Sequence, residues 1–200
     1  MSENLIYAVF DSSGSNLEMG KSRLCRNLAR TLVQLKNIYT NIEYENLSFQ
    51  LYTINETFQS IALTLNGDIP AFKSIGSTDL NLLCNFINEL ELNDKYCPVM
   101  FFTDGNYKDS DIDALLNIVR KTRYVKLFII SIGLDADMRK ISKQEIPVFS
   151  ADNILLAVNH AITYMFGNIS TPKNLRDICV IDEGCLYSKE SNSLVDDSWD

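Results

Sequence analysis

The chain has 200 residues, 46% of them hydrophobic, which suits one large domain with a buried core, or a domain plus a tail, and excludes a wholly disordered protein. Eight glycines and four prolines exclude a collagen-like or low-complexity chain. A formal net charge of −8 would repel phosphate backbones and anionic lipid, so neither nucleic acid nor a membrane surface is expected as the main partner.

Short apolar runs alternate with longer helical patterns. The run 5–10 (LIYAVF) reads as a strand buried on both faces. A polar Ser/Gly loop, 11–20, follows it. Over 22–39, Leu24, Leu28, Leu32, Leu35 and Ile38 recur at helical spacing. Residues 47–53 alternate as a strand, and 58–65 read as a second one, joined to it by a hairpin through Asn55-Glu56. Asn66-Gly67-Asp68 and Pro70 break the pattern. A helix is predicted over 79–92, with Asp79 as its cap or as a support to the neighbouring site residues, and a buried strand over 98–103. A helix over 109–123 has basic residues at its C-terminal end, as the helix dipole favours. A strand over 126–133, a short helix near 136–144 and an edge strand over 146–150 with Pro147 come next. Asp152 is placed to N-cap a last helix that Gly167 stops. This order predicts a doubly wound α/β domain over 1–167, with a six-stranded, mostly parallel sheet in the order 3-2-1-4-5-6 and helices on both faces.

Residues 168–200 differ in composition. They hold seven acidic and three basic residues, so half the net charge lies in a sixth of the chain. Residues 175–187 are expected to dock on the domain or a partner, for example by adding a strand to a sheet edge, the alternative being that all of 168–200 is a disordered, solubilising tail. Residues 188–200 read as a solvated tail able to offer a carboxylate to a neighbouring copy.

Three segments fall where open α/β sheets bind ligands, beyond the carboxyl ends of strands. They are Asp11-Ser12-Ser13-Gly14-Ser15, Gly76-Ser77-Thr78-Asp79 and Thr103-Asp104-Gly105. In the expected strand order Asp11 and Asp104 face each other across the switch point. Two carboxylates with several hydroxyls suit a hard divalent cation such as Mg²⁺ or Mn²⁺, which takes oxygen ligands. Without a cation the two carboxylates would repel. The sole histidine, His160, falls in the last helix, and no Cys/His cluster suggests zinc.

The pattern Asp11-x-Ser13-x-Ser15, then Thr78, then Asp104, resembles the metal-ion-dependent adhesion site of von Willebrand factor A domains. Asp104-Gly105, and Met19 and Arg23 at the entry to the first helix, also look like that family. The resemblance spans about residues 4–167. It implies that Ser13, Ser15 and Thr78 bind the metal through hydroxyls, while Asp11 and Asp104 bind it directly or hold its waters. It implies a Mg²⁺-dependent protein-binding module whose partner donates an Asp or Glu to the open coordination position; the sequence shows no nucleophile–base pair, so catalysis is not expected. Within the family the chain looks most like bacterial stand-alone domains of the tellurium-resistance (TerY) type, which implies a stress or defence setting and kinase or phosphatase partners.

A rival reading is an enzyme. Gly14 to Gly20-Lys21-Ser22 nearly spells a phosphate-binding loop, but five residues separate the glycines where the pattern has four, and Glu18 would repel phosphates. On that count Lys21 reads as a surface residue of the first helical turn. Metal-assisted hydrolysis would need a base beyond Asp11 and Asp104. Cys25, Cys84, Cys97, Cys179 and Cys185 form no C-x-x-C pair and read as reduced thiols. With no basic, signal-like N-terminus and no apolar run near the ~20 residues of a membrane span, the expected setting is cytoplasmic.

Overall fold

Asn4–Asp11 (β1) lies at the middle of a six-stranded sheet, and the side chains from Ile6 to Phe10 alternate between two covered faces. The computed structural model describes residues 4–42, 46–142 and 146–167. After β1 come α1 (Lys21–Ile42), β2 (Leu47–Ile54), β3 (Phe58–Ser60), α2 (Leu80–Glu91), β4 (Cys97–Thr103), α3 (Asp109–Val119), β5 (Val125–Ser131), β6 (Val148–Ser150) and α4 (Ile154–Phe166). The sheet runs β3-β2-β1-β4-β5-β6, with β2–β3 antiparallel and every other pair parallel. This is the strand order expected from the sequence.

One sheet face carries Tyr7, Val9, Val99, Phe101, Leu127 and Ile129, packed with Leu83 and Ile87 of α2 and Ile112 and Leu115 of α3. Phe86 sits edge-on to Tyr7, with ring centroids 5.4 Å apart. On the other side of β1 and β4, Phe10 and Phe102 stack at 4.3 Å. The parity that sends Val9 and Phe101 one way sends Phe10 and Phe102 the other. Register pairs Phe10 with Phe102 and Asp11 with Ile54, so β1 and β4 end side by side.

Several elements differ from the expectation, each for a local reason. β3 stops at Ser60 instead of running to residue 65, because the chain turns at 64–68 and crosses to α1. There Arg26 donates to the Ile69 carbonyl at 2.7 Å, and Arg30 grips Asp68 through two bonds of 2.7 Å. The Arg30 hydrogen bonds hold the Asp68 carboxyl down at about 2, so this clamp outlasts ordinary carboxylates as pH falls. α3 ends at Val119 and not near 123, where the Thr122 hydroxyl bonds the carbonyls of Val119 and Val125 and turns the chain into β5. No helix forms over 134–142, because that segment is tied to the sheet end by tertiary bonds described below. β6 is confined to Val148–Ser150. Asp152 does not cap α4: it falls inside a 3-10 turn, Ala151–Asn153, and Asn153 precedes the helix. Asp79 does cap α2, accepting the Asn81 N–H at 3.0 Å, and Gly167 ends α4 with φ 74°. The expectations for 168–200, and for Cys179 and Cys185, lie outside the described residues. Cys25, Cys84 and Cys97 are buried free thiols, and His160 is an exposed residue of α4 beside the Phe149 ring.

The Glu91 carboxylate at the end of α2 accepts the N–H groups of Arg123, Tyr124 and Val125 at 2.7, 2.9 and 3.1 Å. One side chain thus satisfies three donors where β5 begins. Glu91→Ala is expected to cost about 1–2 kcal/mol in urea unfolding with the slope unchanged, and Glu91→Gln, which keeps one acceptor oxygen, less.

Candidate metal centre

The carboxyl end of β1 places Asp11 among donors from three segments. Its Oδ1 accepts the Ser13 N–H at 2.9 Å and the Thr78 hydroxyl at 2.6 Å. Its Oδ2 accepts the Thr103 hydroxyl at 3.1 Å and the Tyr107 hydroxyl at 2.5 Å. A carboxylate offers about four lone-pair positions, and all are used. Asn16 adds a 2.7 Å bond from its amide to the Asp11 carbonyl, while its own buried Oδ1 has no partner among the described residues.

Ser13 and Ser15 lie at the start of the turn that leaves β1, a 3-10 helix over Gly14–Gly20 with a kink at Glu18 and Met19. Their hydroxyl oxygens are 3.0 Å apart. Thr78 arrives on the long segment between β3 and α2. Backbone bonds fix that segment to the β1 turn, Gly14 N–H to the Gly76 carbonyl at 2.9 Å and Ile75 N–H to the Ser12 carbonyl at 3.1 Å. The Asp68 clamp on α1 holds the same segment from behind. Four of the five expected site residues, Asp11, Ser13, Ser15 and Thr78, therefore form one hydrogen-bonded group.

Asp104 follows Thr103 at the end of the neighbouring strand, and it is held differently. Its Oδ2 accepts the Lys21 ammonium at 2.9 Å, and its Oδ1 the Asn106 N–H at 3.2 Å. Lys21 also reaches Asp135 at 2.7 Å. Lys21 is only 2% exposed, so the surface position expected for it is wrong. The side chain turns inward because a buried carboxylate, Asp104, sits within its reach. The repulsion expected between Asp11 and Asp104 is likewise met separately, four neutral donors serving Asp11 and one ammonium serving Asp104. The phosphate-loop alternative loses its lysine by the same fact, since an ammonium bound to two carboxylates does not face a phosphate.

Electrostatics follow from these contacts. Burial pulls the Lys21 ammonium down, but bonds to Asp135 and Asp104 outweigh it and raise its pKa, so it stays charged. Burial and the Asp11 carboxylate push the Tyr107 phenol well above its ordinary value, so it remains a donor to Asp11. Burial, then the charges of Asp11 and Asp104, push the Cys25 thiol up to about 12. Both carboxylates thus act on Tyr107 and on Cys25.

The sequence marks Thr103 only as part of a segment, places Lys21 on the surface, and gives no sign of Tyr107 or Asp135. Tyr107 and Asp135 had no spacing signal. The 133–137 loop joins the site through Asp137 N–H, which bonds the Asp104 carbonyl at 2.9 Å. Gly105, with φ 78°, permits that approach: a Cβ there would come within 2.4 Å of the Asp137 carbonyl oxygen.

Among the described residues no group of three or more His, Cys, Asp or Glu side chains is placed to hold a metal. The candidate ligands have another make-up: the carboxylates of Asp11 and Asp104 and the hydroxyls of Ser13, Ser15 and Thr78, with no thiolate and no imidazole. A hydroxyl carries two acceptor lone pairs, and the contact between Ser13 and Ser15 engages only one of the four. This all-oxygen donor set fits a hard divalent cation.

No family model matches the chain, and no curated protein matches it. Solved structures do share its fold. A von Willebrand factor type A structure from Catenulispora acidiphila aligns over 82% of this chain and 43% of its own, with TM-score 0.57 and 14% identity. The pilus adhesin SpaC from Lactobacillus rhamnosus GG, in its open conformation, aligns over 82% of this chain and 30% of its own, with TM-score 0.54 and 12% identity. Manganese-loaded TRAP from Plasmodium vivax aligns over 80% and 73%, with TM-score 0.52 and 14% identity. The chain spans less than half of the first two, and the likeness is one of architecture. Its six-stranded sheet, strand order and enclosing helices are those of a von Willebrand factor type A fold.

Proposed function

We propose that the chain is a protein-binding module whose contact centre is a divalent-cation site at the carboxyl ends of β1 and β4. Ser13, Ser15 and Thr78 would hold Mg²⁺ or Mn²⁺ through their hydroxyls, with Asp11 and Asp104 supplying charge. A cation held there gives a strong charge-assisted contact to an Asp or Glu of a partner protein. The observation that carries this reading is the convergence of Thr78, Ser13 and Ser15 around Asp11, brought from loops more than sixty residues apart.

The surroundings favour a macromolecular partner over a small anion. Asp11 and Asp104 form the buried floor, and Ser15 and Thr78 are half-buried at the rim. Leu17, Met19, Ile75 and Leu134 are large exposed apolar residues on the loops that surround this end of the sheet. Such residues beside a charged centre suit a protein surface with an acidic residue set among apolar ones. The manganese in the Plasmodium structure supports divalent-cation use by this fold. A bacterial stress or defence role of the tellurium-resistance type, in the cytoplasm and with a kinase or phosphatase partner, is the setting the sequence resemblance suggests. Among the described residues no helix is long and apolar enough to cross a membrane.

A non-enzymatic role fits the way the titratable groups are used. Tyr107 is committed to Asp11, Lys21 to Asp104 and Asp135, and His160 lies on α4 against the Phe149 ring.

Two outcomes are expected. Mn²⁺ or Mg²⁺ raises the melting temperature of the wild-type protein, and Thr78→Ala removes most of that rise while changing the melt in EDTA little. Asp11→Ala also abolishes the metal response, but it lowers stability in EDTA by about 1–3 kcal/mol, because Ser13, Thr78, Thr103 and Tyr107 lose their acceptor. A wild-type melt that ignores both cations overturns the metal centre. In affinity capture from the native host, a specific partner is retained with Mg²⁺ and released by EDTA. Leu134→Asp weakens that capture and leaves the Mn²⁺ melt shift intact; equal capture in EDTA counts against the reading.

A further inference from the structure

An ammonium is costly to bury and persists inside a protein where carboxylates hold it. Lys21 leaves the first turn of α1 and meets Asp104, itself 4% exposed, at 2.9 Å and Asp135 at 2.7 Å. The passage for its stem is built into the fold. Gly133, at φ 92°, has no side chain where a Cβ would lie 2.8 Å from Lys21 Cε and 2.7 Å from an Asp135 oxygen. Asp11, by contrast, draws only on hydroxyls and an N–H. The positive charge at this centre therefore belongs to Asp104.

We infer that Lys21 is the resident cation of the centre: it keeps the Asp104 carboxylate in place without metal, and its own charge lowers the affinity of the centre for a divalent cation. The inference rests on the metal-centre reading above and adds what sets its strength. Asp11, Asp104, Asp135 and Lys21 together carry a formal charge of −2. A divalent cation brings that to neutrality. Without Lys21 the loaded centre would stay negative and would repel an incoming carboxylate. With Lys21 the metal is held more weakly, and an acidic partner meets no net opposing charge. Lys21 is thus a positioning and affinity-setting residue that never touches the partner.

The sign of the effect separates this role from simple scaffolding. A scaffold residue, once removed, releases Asp104 and weakens metal binding; a resident cation, once removed, strengthens it. Calorimetric titration of Mn²⁺ and of Mg²⁺ into wild-type and Lys21→Met protein reads the sign, with melts in EDTA alongside. Lys21→Met is expected to melt lower in EDTA and to bind Mn²⁺ about tenfold more tightly, or better. Equal or weaker Mn²⁺ binding by Lys21→Met, with the wild type still binding, overturns the inference and leaves the metal centre standing. Absence of Mn²⁺ binding by both proteins overturns both readings. Should Lys21→Met fail to fold in EDTA, the double variant Lys21→Met with Asp104→Asn decides. Recovery of folding supports an unbalanced Asp104 charge as the burden that Lys21 relieves, and no recovery overturns the inference.

Discussion

A carboxylate at the end of a fully covered strand has to find donors, and the donors of Asp11 organise this end of the molecule. Ser13 comes from its own turn, Thr103 from the adjacent strand, Tyr107 from the loop beyond it, and Thr78 from the segment before α2. The segment before α2 is also anchored by buried Ile69 and by Phe72 against Phe10. These donors share one acceptor, and the strand that carries it is buried from Ile6 to Asp11. The supporting bonds then fall into line: Gly14 to Gly76, Ser12 to Ile75, and the arginines of α1 to Asp68 and Ile69.

The second carboxylate shows the other solution to the same difficulty. Asp104 meets a formal positive charge where Asp11 meets dipoles. Charge pairing is the stronger local remedy but brings its own buried ion, which in turn recruits Asp135 and fixes the 133–137 loop. Two acidic residues of similar burial thus gather different loops by different chemistry. The outer surface of those loops is where the exposed apolar side chains lie.

The fold was largely legible because its strongest signal is periodicity. Runs such as 5–10 and 98–103 are apolar on both faces, as central parallel strands are, and the helices show clear apolar stripes. The meeting of Asp11, Ser13, Ser15 and Thr78 was legible from the segments that carry them; Asp104 stands at the end of the neighbouring strand with a partner that no spacing announces. What escaped was set by partners distant in sequence. Lys21 reads as a helix-start lysine until Asp104 is placed beside it, and 58–65 reads as one strand until Arg30 draws Asp68 across to α1. Residues 136–144 have a helical look, yet the bond of Asp137 to Asp104 and the pairing of Asp135 with Lys21 keep the described part, 136–142, out of a helix. Asp152 was a plausible cap displaced by a single 3-10 turn. In each case local preference lost to a tertiary contact that no short window contains.

Cys25 lies in α1 within the electrostatic reach of both carboxylates, and its thiol stays protonated far above neutral pH. Alkylating reagents attack thiolates, so the closed protein gives them almost nothing to react with. Modification of Cys25 then proceeds only as fast as the helix lifts from the sheet, which makes this side chain a clock for local opening beneath the centre. Any ligand that ties the floor more firmly to the loops slows that clock, whether or not the ligand itself can be seen.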